Sequence, residues 1–218
     1  MIKKVKGLLF DLDGVLVTTE RNHFEAWKSI ADELSIPFDE HSNEQLKGVS
    51  RVDSLKKILA MGSIELTNSE FNRLLTQKNE RYLLSISDLN DENILPGVKP
   101  LLQNAKKHSV KLGVGSSSKN ARFILEKLNL IHYFDVIVDG NDVQFPKPHP
   151  EVFLKGANTL RIEPQEIMVF EDAQSGVQAA KEGGFFTVGV GNKHLEESTD
   201  LYFETLETFR LEEYAKFV

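Results

Sequence analysis

Val5-Lys-Gly-Leu-Leu-Phe10 is a short, mostly apolar stretch that runs directly into Asp11-Leu-Asp13-Gly14, and Ile167-Met-Val-Phe170 runs in the same way into Glu171-Asp172. Both stretches are typical of buried strands, so two carboxylate pairs are expected at two strand ends. Carboxylates that meet in this way repel one another and raise each other's pKa unless a cation neutralises them. Mg²⁺ prefers oxygen ligands and usually joins one or two carboxylates to a substrate phosphate. The pattern predicts a phosphate-handling enzyme, although a bare Asp-x-Asp is more often a pair of solvated loop residues.

Two further polar segments follow the same logic. Lys111-Leu-Gly-Val-Gly-Ser116 is typical of a third strand, and it ends in the hydroxyl cluster Ser116-Ser-Ser118, which Lys119-Asn120 and a helical pattern follow. Hydroxyls and backbone N–H groups at the start of a helix can cradle a phosphate. In Phe145-Pro-Lys147-Pro-His-Pro150, prolines that fix φ stiffen the loop around a lysine. Lys147 is therefore a candidate anion ligand, although an ordinary exposed loop lysine explains the segment equally well.

Composition excludes several classes of function. The 218 residues include 26 Lys and Arg against 33 Asp and Glu, for a net charge of −7, which disfavours general binding to nucleic acid or to an anionic membrane. Cysteine is absent, so disulfides, thiolate nucleophiles and cysteine-ligated metals are excluded. The first apolar run is too short for a signal peptide, and no segment approaches the roughly 20 apolar residues of a membrane span. We therefore expect a soluble, cytoplasmic, monomeric protein whose partner is a small molecule.

From residue 97 onward, short apolar runs alternate with helical patterns. The predicted strands are Lys111–Val114, Val136–Val138, Ile167–Phe170 and Phe186–Val190, and the predicted helices are Gly97–His108, Lys119–Leu128, Glu151–Leu160 and Ser175–Glu182. Short strands with little polar alternation, joined by helices, indicate a parallel sheet that helices cover on both faces. Val5–Phe10 has the character of a strand in the same sheet. Leu201–Val218 is expected to add a final strand and helix.

Residues 20–90 differ, because they carry helical periodicity and almost no strand pattern. One apolar helix face contains Phe24, Trp27, Ala31 and Leu34. Spacing alone places Trp27 in a core. An all-helical block after the first strand of a sheet is typical of an inserted cap, and Pro96-Gly97 marks the turn at its return. We predict an α/β fold with a Rossmann-like parallel-sheet core, residues 1–17 and 92–218, and an inserted all-helical cap domain, residues 18–91.

Four of these segments, taken in chain order, resemble the four motifs of the haloacid dehalogenase-like phosphotransferases. The motif residues are Asp11-x-Asp13, Ser116, Lys147 and Glu171-Asp172. The match spans the whole chain, and four motifs in the right order are a specific pattern. Within this superfamily, Lys47-Gly-Val-Ser-Arg51 resembles the cap of the β-phosphoglucomutase family and is much narrower in distribution. Other segments that look like that cap are His23–Lys28, Ser54–Leu59 and Lys78-Asn79.

The resemblance implies a role for each motif. Asp11 would be the nucleophile that accepts the phosphoryl group as an aspartyl phosphate, and Asp13 would be the general acid–base. Ser116 and Lys147 would complete the catalytic set by binding the oxygens of the transferring phosphoryl group. Positioning and charge neutralisation provide most of the catalysis of phosphoryl transfer. The implied cofactor is Mg²⁺, and its implied ligands are Asp11, the backbone carbonyl of Asp13, Asp172 and, in or near the same shell, Glu171.

The resemblance also implies substrate-binding residues, most of them in the cap. They are Thr19, His23, Trp27, Lys47, Gly48, Val49, Ser50, Arg51, Ser54, Lys78, Ser118, Lys119 and Asn120. Arg51, with Ser118-Lys-Asn120, would hold a second phosphate, because the guanidinium fork suits phosphate oxygens. A surface helix residue is the alternative interpretation of Arg51. His23 and Lys78 would arrange the cap around Asp13, and the alternative is a histidine that tops a helix and a solvated lysine.

Two positions depart from the pattern of these relatives. Thr18 stands before Thr19, where relatives often have an acid. Ser117 places a hydroxyl where members of the β-phosphoglucomutase family tend to have a small apolar residue. Both departures leave the motifs intact, and Ser117 is expected to alter contacts near the phosphate.

Three functions remain open at the level of sequence. The first is a Mg²⁺-dependent β-phosphoglucomutase, which interconverts β-D-glucose 1-phosphate and glucose 6-phosphate through β-glucose 1,6-bisphosphate. The second is a sugar-phosphate phosphatase with the same core, in which water attacks the aspartyl phosphate. The third is a catalytically silent phosphometabolite-binding protein, which the intact Asp11 and Lys147 disfavour because binding alone needs no nucleophile.

Overall fold

A six-stranded, all-parallel sheet forms the centre of the protein in a computed structural model that describes residues 5–214. The strands are β1 (Gly7–Phe10), β2 (Lys111–Gly115), β3 (Val136–Val138), β4 (Ile167–Glu171), β5 (Phe186–Val190) and β6 (Leu201–Phe203), in the spatial order β3-β2-β1-β4-β5-β6. The helices are α1 (Glu20–Glu33), α2 (Glu40–Glu44), α3 (Arg51–Gly62), α4 (Asn68–Ser85), α5 (Val98–Lys107), α6 (Ala121–Lys127), α7 (Glu151–Leu160), α8 (Gln174–Glu182) and α9 (Leu211–Tyr214). The predicted α/β class is confirmed.

Helices cover both faces of the sheet, as the unbroken apolar strands predict. On one face, Phe10 and Phe170 stack with ring centroids 4.7 Å apart and pack with the apolar residues of α5 and α6. On the other face, Leu9 packs with Phe153 of α7 and with the alanines of α8. Burial of one such large side chain stabilises the fold by roughly 1.5–3 kcal/mol. The central strands β1 and β4 are buried over their whole length.

Helices α1 to α4 lie between β1 and β2 in the chain and form what we call the helical insertion, residues 20–85. This insertion has its own apolar core, which contains Trp27, Ile30, Leu55, Ile58 and Leu74. The chain leaves the sheet and returns to it side by side, because Thr18 N–H donates to the Asn93 carbonyl at 2.9 Å and Leu95 N–H donates to the Leu16 carbonyl at 3.0 Å. The insertion is therefore attached by two adjacent linkers. The exact domain boundaries remain a prediction.

Most predicted elements have the expected bounds to within two residues. Strands β3 and β5 and helix α7 match, whereas β1 begins at Gly7 instead of Val5. Helix α6 begins at Ala121 because Lys119-Asn120 form a turn before it. The expected final strand and helix occur as β6 and α9, and residues 215–218 lie outside the described part of the chain. Among residues 5–214, no helix combines the length and the apolar character that crossing a bilayer requires.

Sheet register brings the polar strand ends together. Phe10, the last residue of β1, pairs with Val114 of β2 on one side and with Phe170 of β4 on the other. The carboxyl ends of these three parallel strands therefore meet at one edge. Ligands of open α/β sheets bind at this edge, and the two linkers of the helical insertion begin there as well.

Candidate active site

Lys147 lies at the centre of the acidic residues on the three strand ends. Its Nζ is 2.5 Å from Asp11 Oδ1 and 2.6 Å from Glu171 Oε1, and the lysine is only 3% exposed. The ring of Phe153 lies below it, with the centroid 4.7 Å from Nζ. The alternative of an exposed loop lysine is therefore wrong. The proline-flanked loop directs this ammonium group into the carboxylate cluster.

Burial and like charges oppose ionisation within this cluster. Burial raises the pKa of Asp11 to about 7, and Glu171 and Asp13 add to this rise although Lys147 opposes it. Burial alone would lower the pKa of Lys147, but the Asp11 and Glu171 carboxylates outweigh it and raise that pKa. The single positive charge of Lys147 therefore does not neutralise the carboxylates around it. The cluster needs a further cation to hold all of its acids ionised.

Three carboxylates fit a divalent cation with oxygen ligands. Asp11, Glu171 and Asp172 each offer an oxygen atom, these atoms lie within 4.8 Å of one another, and all three residues are buried. Burial, together with Glu171 and Asp11, also raises the pKa of Asp172 well above its ordinary value. This donor set suits Mg²⁺. Glu171 already accepts from Lys147 through Oε1 and from the Ala173 N–H through Oε2 at 3.3 Å, so Asp11 and Asp172 have the greater free coordinating capacity.

Asp13 is ionised and is held from the side of the helical insertion. The Thr19 hydroxyl donates to Asp13 Oδ1, and His23 Nε2 lies 3.7 Å from Oδ2. Burial alone would raise the pKa of Asp13, but contacts with His23, Thr19 and Lys78 lower it. A carboxylate that remains ionised in a buried site can accept a proton from a hydroxyl group. Asp13 therefore has the ionisation state that a general base requires.

His23 connects Asp13 to Lys78. Lys78 Nζ lies 2.8 Å from His23 Nδ1, and burial together with the charge of Lys78 lowers the pKa of His23. A lysine that donates to Nδ1 leaves the proton on Nε2, the nitrogen that faces Asp13. The imidazole is neutral at pH 7, so its contact with Asp13 is polar but is not an ion pair. The alternative of a histidine that merely tops a helix is wrong.

Lys78 is nearly inaccessible to solvent, with 2% of its surface exposed. Its Nζ lies 4.9 Å from the centroid of the Trp27 ring and 4.6 Å from that of the Tyr82 ring. Burial and the neighbouring Arg51 lower the pKa of Lys78 to about 7. The alternative of a solvated lysine is wrong. In the described part of the chain, no carboxylate lies at hydrogen-bonding distance from Lys78 Nζ, and a buried lysine in this setting favours the approach of an anion.

The segment after β2 forms the predicted hydroxyl cluster. Ser116 Oγ accepts from the Ser118 N–H at 3.1 Å, and Ser118 Oγ accepts from the Asn120 N–H at 3.2 Å. Asn120 Nδ2 donates to Asn79 Oδ1 of α4 at 3.0 Å. These bonds fix a tight turn whose polar groups lie beside Asp11 at the sheet edge. They also connect the sheet to the helical insertion.

Arg51 is the first residue of α3 and is partly buried. Among the described residues, no carboxylate forms an ion pair with Arg51, and burial lowers the pKa of its guanidinium. Its charge also lowers the pKa values of Lys78 and His23, which shows that these three groups are close. The alternative of a surface helix residue does not describe this position, because Arg51 lines the same cavity as Asp11.

One cavity brings together most of the residues that the sequence predicts. Those that line it are Asp11, Asp13, His23, Trp27, Lys47, Gly48, Val49, Arg51, Ser54, Lys78, Ser116, Ser118, Lys119, Asn120 and Asp172. Thr19, Lys147 and Glu171 lie behind this lining and bond to its carboxylates or to each other. Ser50 is not part of the lining. Its hydroxyl accepts a hydrogen bond from the Asp53 N–H and so caps the N-terminus of α3.

Some cavity residues were absent from the sequence-based set. Glu20 lines the cavity, and its carboxylate lies 3.2 Å from Lys47 Nζ. Ser117 also lines it, and Tyr82 stacks on His23 with ring centroids 4.0 Å apart. A clue existed only for Ser117, because a hydroxyl there departs from the family pattern. Glu20 and Tyr82 belong to ordinary helical sequence, so only the three-dimensional packing identifies them.

Comparison with known proteins agrees with this geometry. Residues 5–184 match the haloacid dehalogenase-like hydrolase family. This chain belongs to that family. A β-phosphoglucomutase of Bacillus subtilis is 42% identical over 210 residues, which are 95% of this chain and 93% of that protein.

Two further relatives span almost the same range. A phosphorylated carbohydrates phosphatase of Thermotoga maritima is 33% identical over 83% of this chain and 82% of its own. The crystal structure of a β-phosphoglucomutase from Clostridium difficile superposes with a TM-score of 0.93 at 35% identity, over 96% of this chain and 95% of that one. Family membership and the assembled carboxylate site together make this chain a phosphotransferase enzyme.

Proposed function

We propose that this enzyme is a Mg²⁺-dependent β-phosphoglucomutase, which interconverts β-D-glucose 1-phosphate and glucose 6-phosphate through β-glucose 1,6-bisphosphate. The observation that carries the proposal is the pair of unlike groups on one cavity: the Asp11 cluster from the sheet, and Arg51 with Lys78 from the helical insertion. A sugar bisphosphate has two phosphates to hold. A simple phosphotransfer site needs only the first set of groups.

Asp11 would carry the phosphoryl group. Its carboxylate attacks phosphorus, the bond from phosphorus to the sugar oxygen breaks, and an aspartyl phosphate forms on Asp11. Lys147 and the Ser116 hydroxyl would bind the equatorial phosphoryl oxygens and neutralise their charge. Asp11 and Asp172 would hold Mg²⁺ together with the Asp13 backbone carbonyl, and Glu171 would stand in the outer shell. The bound metal supplies positive charge that favours the ionised, nucleophilic form of Asp11 and offsets the charge of the phosphoryl group.

Asp13 would move the proton in both directions. When the sugar hydroxyl attacks the aspartyl phosphate, Asp13 accepts the hydroxyl proton and Asp11 leaves as a free carboxylate. After the bisphosphate turns around, Asp11 attacks the other phosphate, and Asp13 returns the proton to the leaving sugar oxygen. Thr19 and the Lys78–His23 pair hold the carboxylate in place for both steps. Thr19 and His23 act through Asp13 and need not touch the phosphate.

Arg51 would hold the phosphate that is not transferred, together with Ser118, Lys119 and Asn120. It comes from the helical insertion, whereas the last three come from the turn after β2. Arg51 has no carboxylate partner among the described residues, so its charge is available to a ligand. The guanidinium presents paired N–H donors to two phosphate oxygens. Trp27, Lys47, Gly48, Val49 and Ser54 would form the rest of the substrate envelope.

The helical insertion would act as a mobile cap, with domain boundaries near residues 17–18 and 91–92. Substrate must enter a cavity that both parts of the chain line, so the two linkers would open and close it. Closure would exclude water from the aspartyl phosphate. A mutase requires this protection, because hydrolysis would otherwise consume the phosphorylated enzyme.

A sugar-phosphate phosphatase is the second candidate, and the 33% identity with the Thermotoga maritima phosphatase favours it. The same cluster around Asp11 serves both reactions, since the two differ only in whether a sugar hydroxyl or water attacks the aspartyl phosphate. The higher identity with the Bacillus subtilis mutase supports the mutase, as does Arg51, which has no carboxylate partner within residues 5–214.

The test is a phosphorus NMR assay with β-glucose 1-phosphate, Mg²⁺ and a trace of β-glucose 1,6-bisphosphate. A mutase converts the substrate to glucose 6-phosphate, depends on the bisphosphate and releases little free phosphate. A phosphatase releases free phosphate in proportion to the substrate lost and needs no bisphosphate. Arg51→Ala is the informative variant, because it should lower mutase activity more than it lowers phosphoenzyme formation from acetyl phosphate.

A further inference from the structure

Two serine hydroxyls of the sheet domain bind the backbone of one loop in the helical insertion. Ser117 Oγ donates to the Gly48 carbonyl at 2.8 Å, and Ser175 Oγ donates to the Lys47 carbonyl at 3.2 Å. Ser117 follows β2, and Ser175 lies in the first turn of α8. Two separate elements of the core thus contact consecutive carbonyl groups of the loop. We call Lys47-Gly48 the docking loop.

The docking loop approaches the core as closely as the backbone allows. Gly48 has φ +69°, which side-chain-bearing residues rarely adopt, and an added Cβ would overlap the Ser175 hydroxyl and lie 3.1 Å from Ala173 Cβ. Glycine is therefore required both for the turn and for the contact. A side chain at this position would strain the turn and would require the Ser175 hydroxyl or the loop to move.

The docking loop lies next to the groups that bind substrate under the proposed function. Lys47 Nζ contacts Glu20 at 3.2 Å and Glu44 at 3.0 Å, which fixes the loop from the side of the insertion. Arg51 begins α3 only three residues after Gly48. The position of the loop against the core therefore also sets the position of Arg51 over the cavity.

We propose that Ser117 and Ser175 are positioning residues that latch the docking loop to the core and so favour the closed cavity. The proposal rests on the proposed function, in which closure protects the aspartyl phosphate and brings Arg51 to the second phosphate. Neither hydroxyl takes part in bond making or breaking, because each is already committed to a backbone carbonyl.

The latch predicts a loss of closed-state affinity when either hydroxyl is removed. The variants are Ser117→Ala, Ser175→Ala and the double variant, with Ser69→Ala on the exposed surface of α4 as the matched control. Calorimetry measures binding of glucose 6-phosphate in the presence of Mg²⁺ and aluminium fluoride, a complex that forms in the closed cavity under the proposed function. One hydrogen bond corresponds to a loss of about 3- to 10-fold, and the double variant should lose roughly 10- to 50-fold.

A conservative variant separates a latch from a general packing role. Ser175→Thr keeps the hydroxyl and should recover most of the affinity that Ser175→Ala loses. X-ray scattering of the substrate-free proteins adds a readout that needs no ligand, because the double variant should have a larger radius of gyration than the parent. Phosphoenzyme formed from acetyl phosphate should also hydrolyse faster in the double variant. Affinity and dimensions equal to those of Ser69→Ala would overturn the latch.

This experiment distinguishes failure of the latch from failure of the proposed function. If the parent releases only free phosphate from β-glucose 1-phosphate, the mutase is wrong, yet the latch still stands if the serine variants bind the fluoride complex more weakly and are more open. If the parent is a mutase and the variants match the control, the latch alone is wrong.

Discussion

The two walls of the cavity differ in charge and in how that charge is balanced. The core wall, from the strand ends, places Asp11, Glu171 and Asp172 around a single lysine. The insertion wall carries Arg51 and Lys78, and neither has a carboxylate at ion-pairing distance among the described residues. Negative charge is thus in excess on one wall and positive charge on the other. Under the proposed function, the core wall would bind a cation and the insertion wall would bind a phosphate.

On each wall, burial shifts the pKa of one group in the direction that disfavours its charged form. Burial raises the pKa of Asp11 to about 7 on the core wall and lowers the pKa of Lys78 to about 7 on the insertion wall. A divalent cation would restore the ordinary ionisation of the first, and a phosphate that of the second. Under the proposed function, a sugar bisphosphate and Mg²⁺ would neutralise both walls together.

Removal of the nucleophile should have the largest effect. Asp11→Asn keeps the shape of the core wall but loses the attacking charge, so turnover should fall on the order of 10⁵-fold or more, the scale seen when a covalent catalyst loses its nucleophile. Rapid-quench detection of phosphoenzyme measures this loss directly. Asp88→Asn, an exposed control, should behave as the parent. A phosphoenzyme that still forms in Asp11→Asn, or that maps to another residue, contradicts the assignment.

Mg²⁺ should stabilise the core wall, and its removal should reveal a pH dependence. Because the pKa of Asp11 is raised to about 7 from 3.8, the metal-free fold holds a proton that the unfolded chain releases. This contribution to stability is therefore lost as pH rises from about 4 through 7. Saturation at 100 times Kd should add about 2.7 kcal/mol to the free energy of unfolding.

Thermal unfolding from pH 5 to 8, with EDTA or with Mg²⁺, measures both effects. The Tm should fall with rising pH in EDTA, and it should fall less in Mg²⁺ or in Asp11→Asn. Asp172→Ala should lose the response to Mg²⁺, whereas monovalent salt at equal ionic strength should not reproduce it. If Asp172→Ala responds to Mg²⁺ as the parent does, Asp172 is not a ligand.

On the insertion wall, Arg51→Ala should lower mutase kcat/KM by about 10- to 100-fold, the loss expected for one charge-assisted hydrogen bond, and by more if the contact is bidentate. Phosphoenzyme formation from acetyl phosphate has no second phosphate to anchor, so it should change little. Lys56→Ala on the exposed side of α3 is the control. Equal losses in both activities would indicate a folding defect instead of a lost anchor.

The smallest effect concerns the stability cost of Lys78. Because its pKa falls from 10.5 to about 7 in the folded state, the protein loses stability as pH decreases from 10.5 to 7 and loses no more below that. Lys78→Met should therefore be more stable than the parent, by a margin that grows by at most about 1.4 kcal/mol per pH unit over this range.

Urea unfolding at pH 9, 8 and 7 measures this margin. Lys107→Met, at an exposed lysine of α5, should show no such trend. The same Lys78→Met variant should lose activity because it cannot hold His23 in its tautomer. A margin that does not change with pH would mean that Lys78 is not destabilised by burial.

Sequence alone predicts the core wall more completely than the insertion wall. The residues of the core wall follow strand ends, and parallel strands bring their carboxyl ends to one edge, so the strand pattern by itself places Asp11, Ser116 and Asp172 together. Burial of Lys147 does not follow from the sequence, because a loop lysine between prolines has no periodic pattern that indicates burial.

The positions of the side chains on the insertion wall depend on how four helices pack together. Helical periodicity predicts only which face of each helix is apolar. Family resemblance identifies Arg51 and Lys78, but it does not show that Lys78 lies between two aromatic rings. Tyr82 and Glu20 are missed for the same reason, since each belongs to a regular helical pattern. The family resemblance predicts Ser50 as a substrate-binding residue. In the structure its hydroxyl caps α3 and does not line the cavity.

A crystal structure of Asp11→Asn with Mg²⁺ and β-glucose 1,6-bisphosphate would test the two walls most directly. The account predicts one phosphate within hydrogen-bonding distance of Ser116 and Lys147, and the other within hydrogen-bonding distance of Arg51 and Asn120, in the same closed cavity. A second phosphate that points to solvent, with Arg51 turned away from it, would contradict the account.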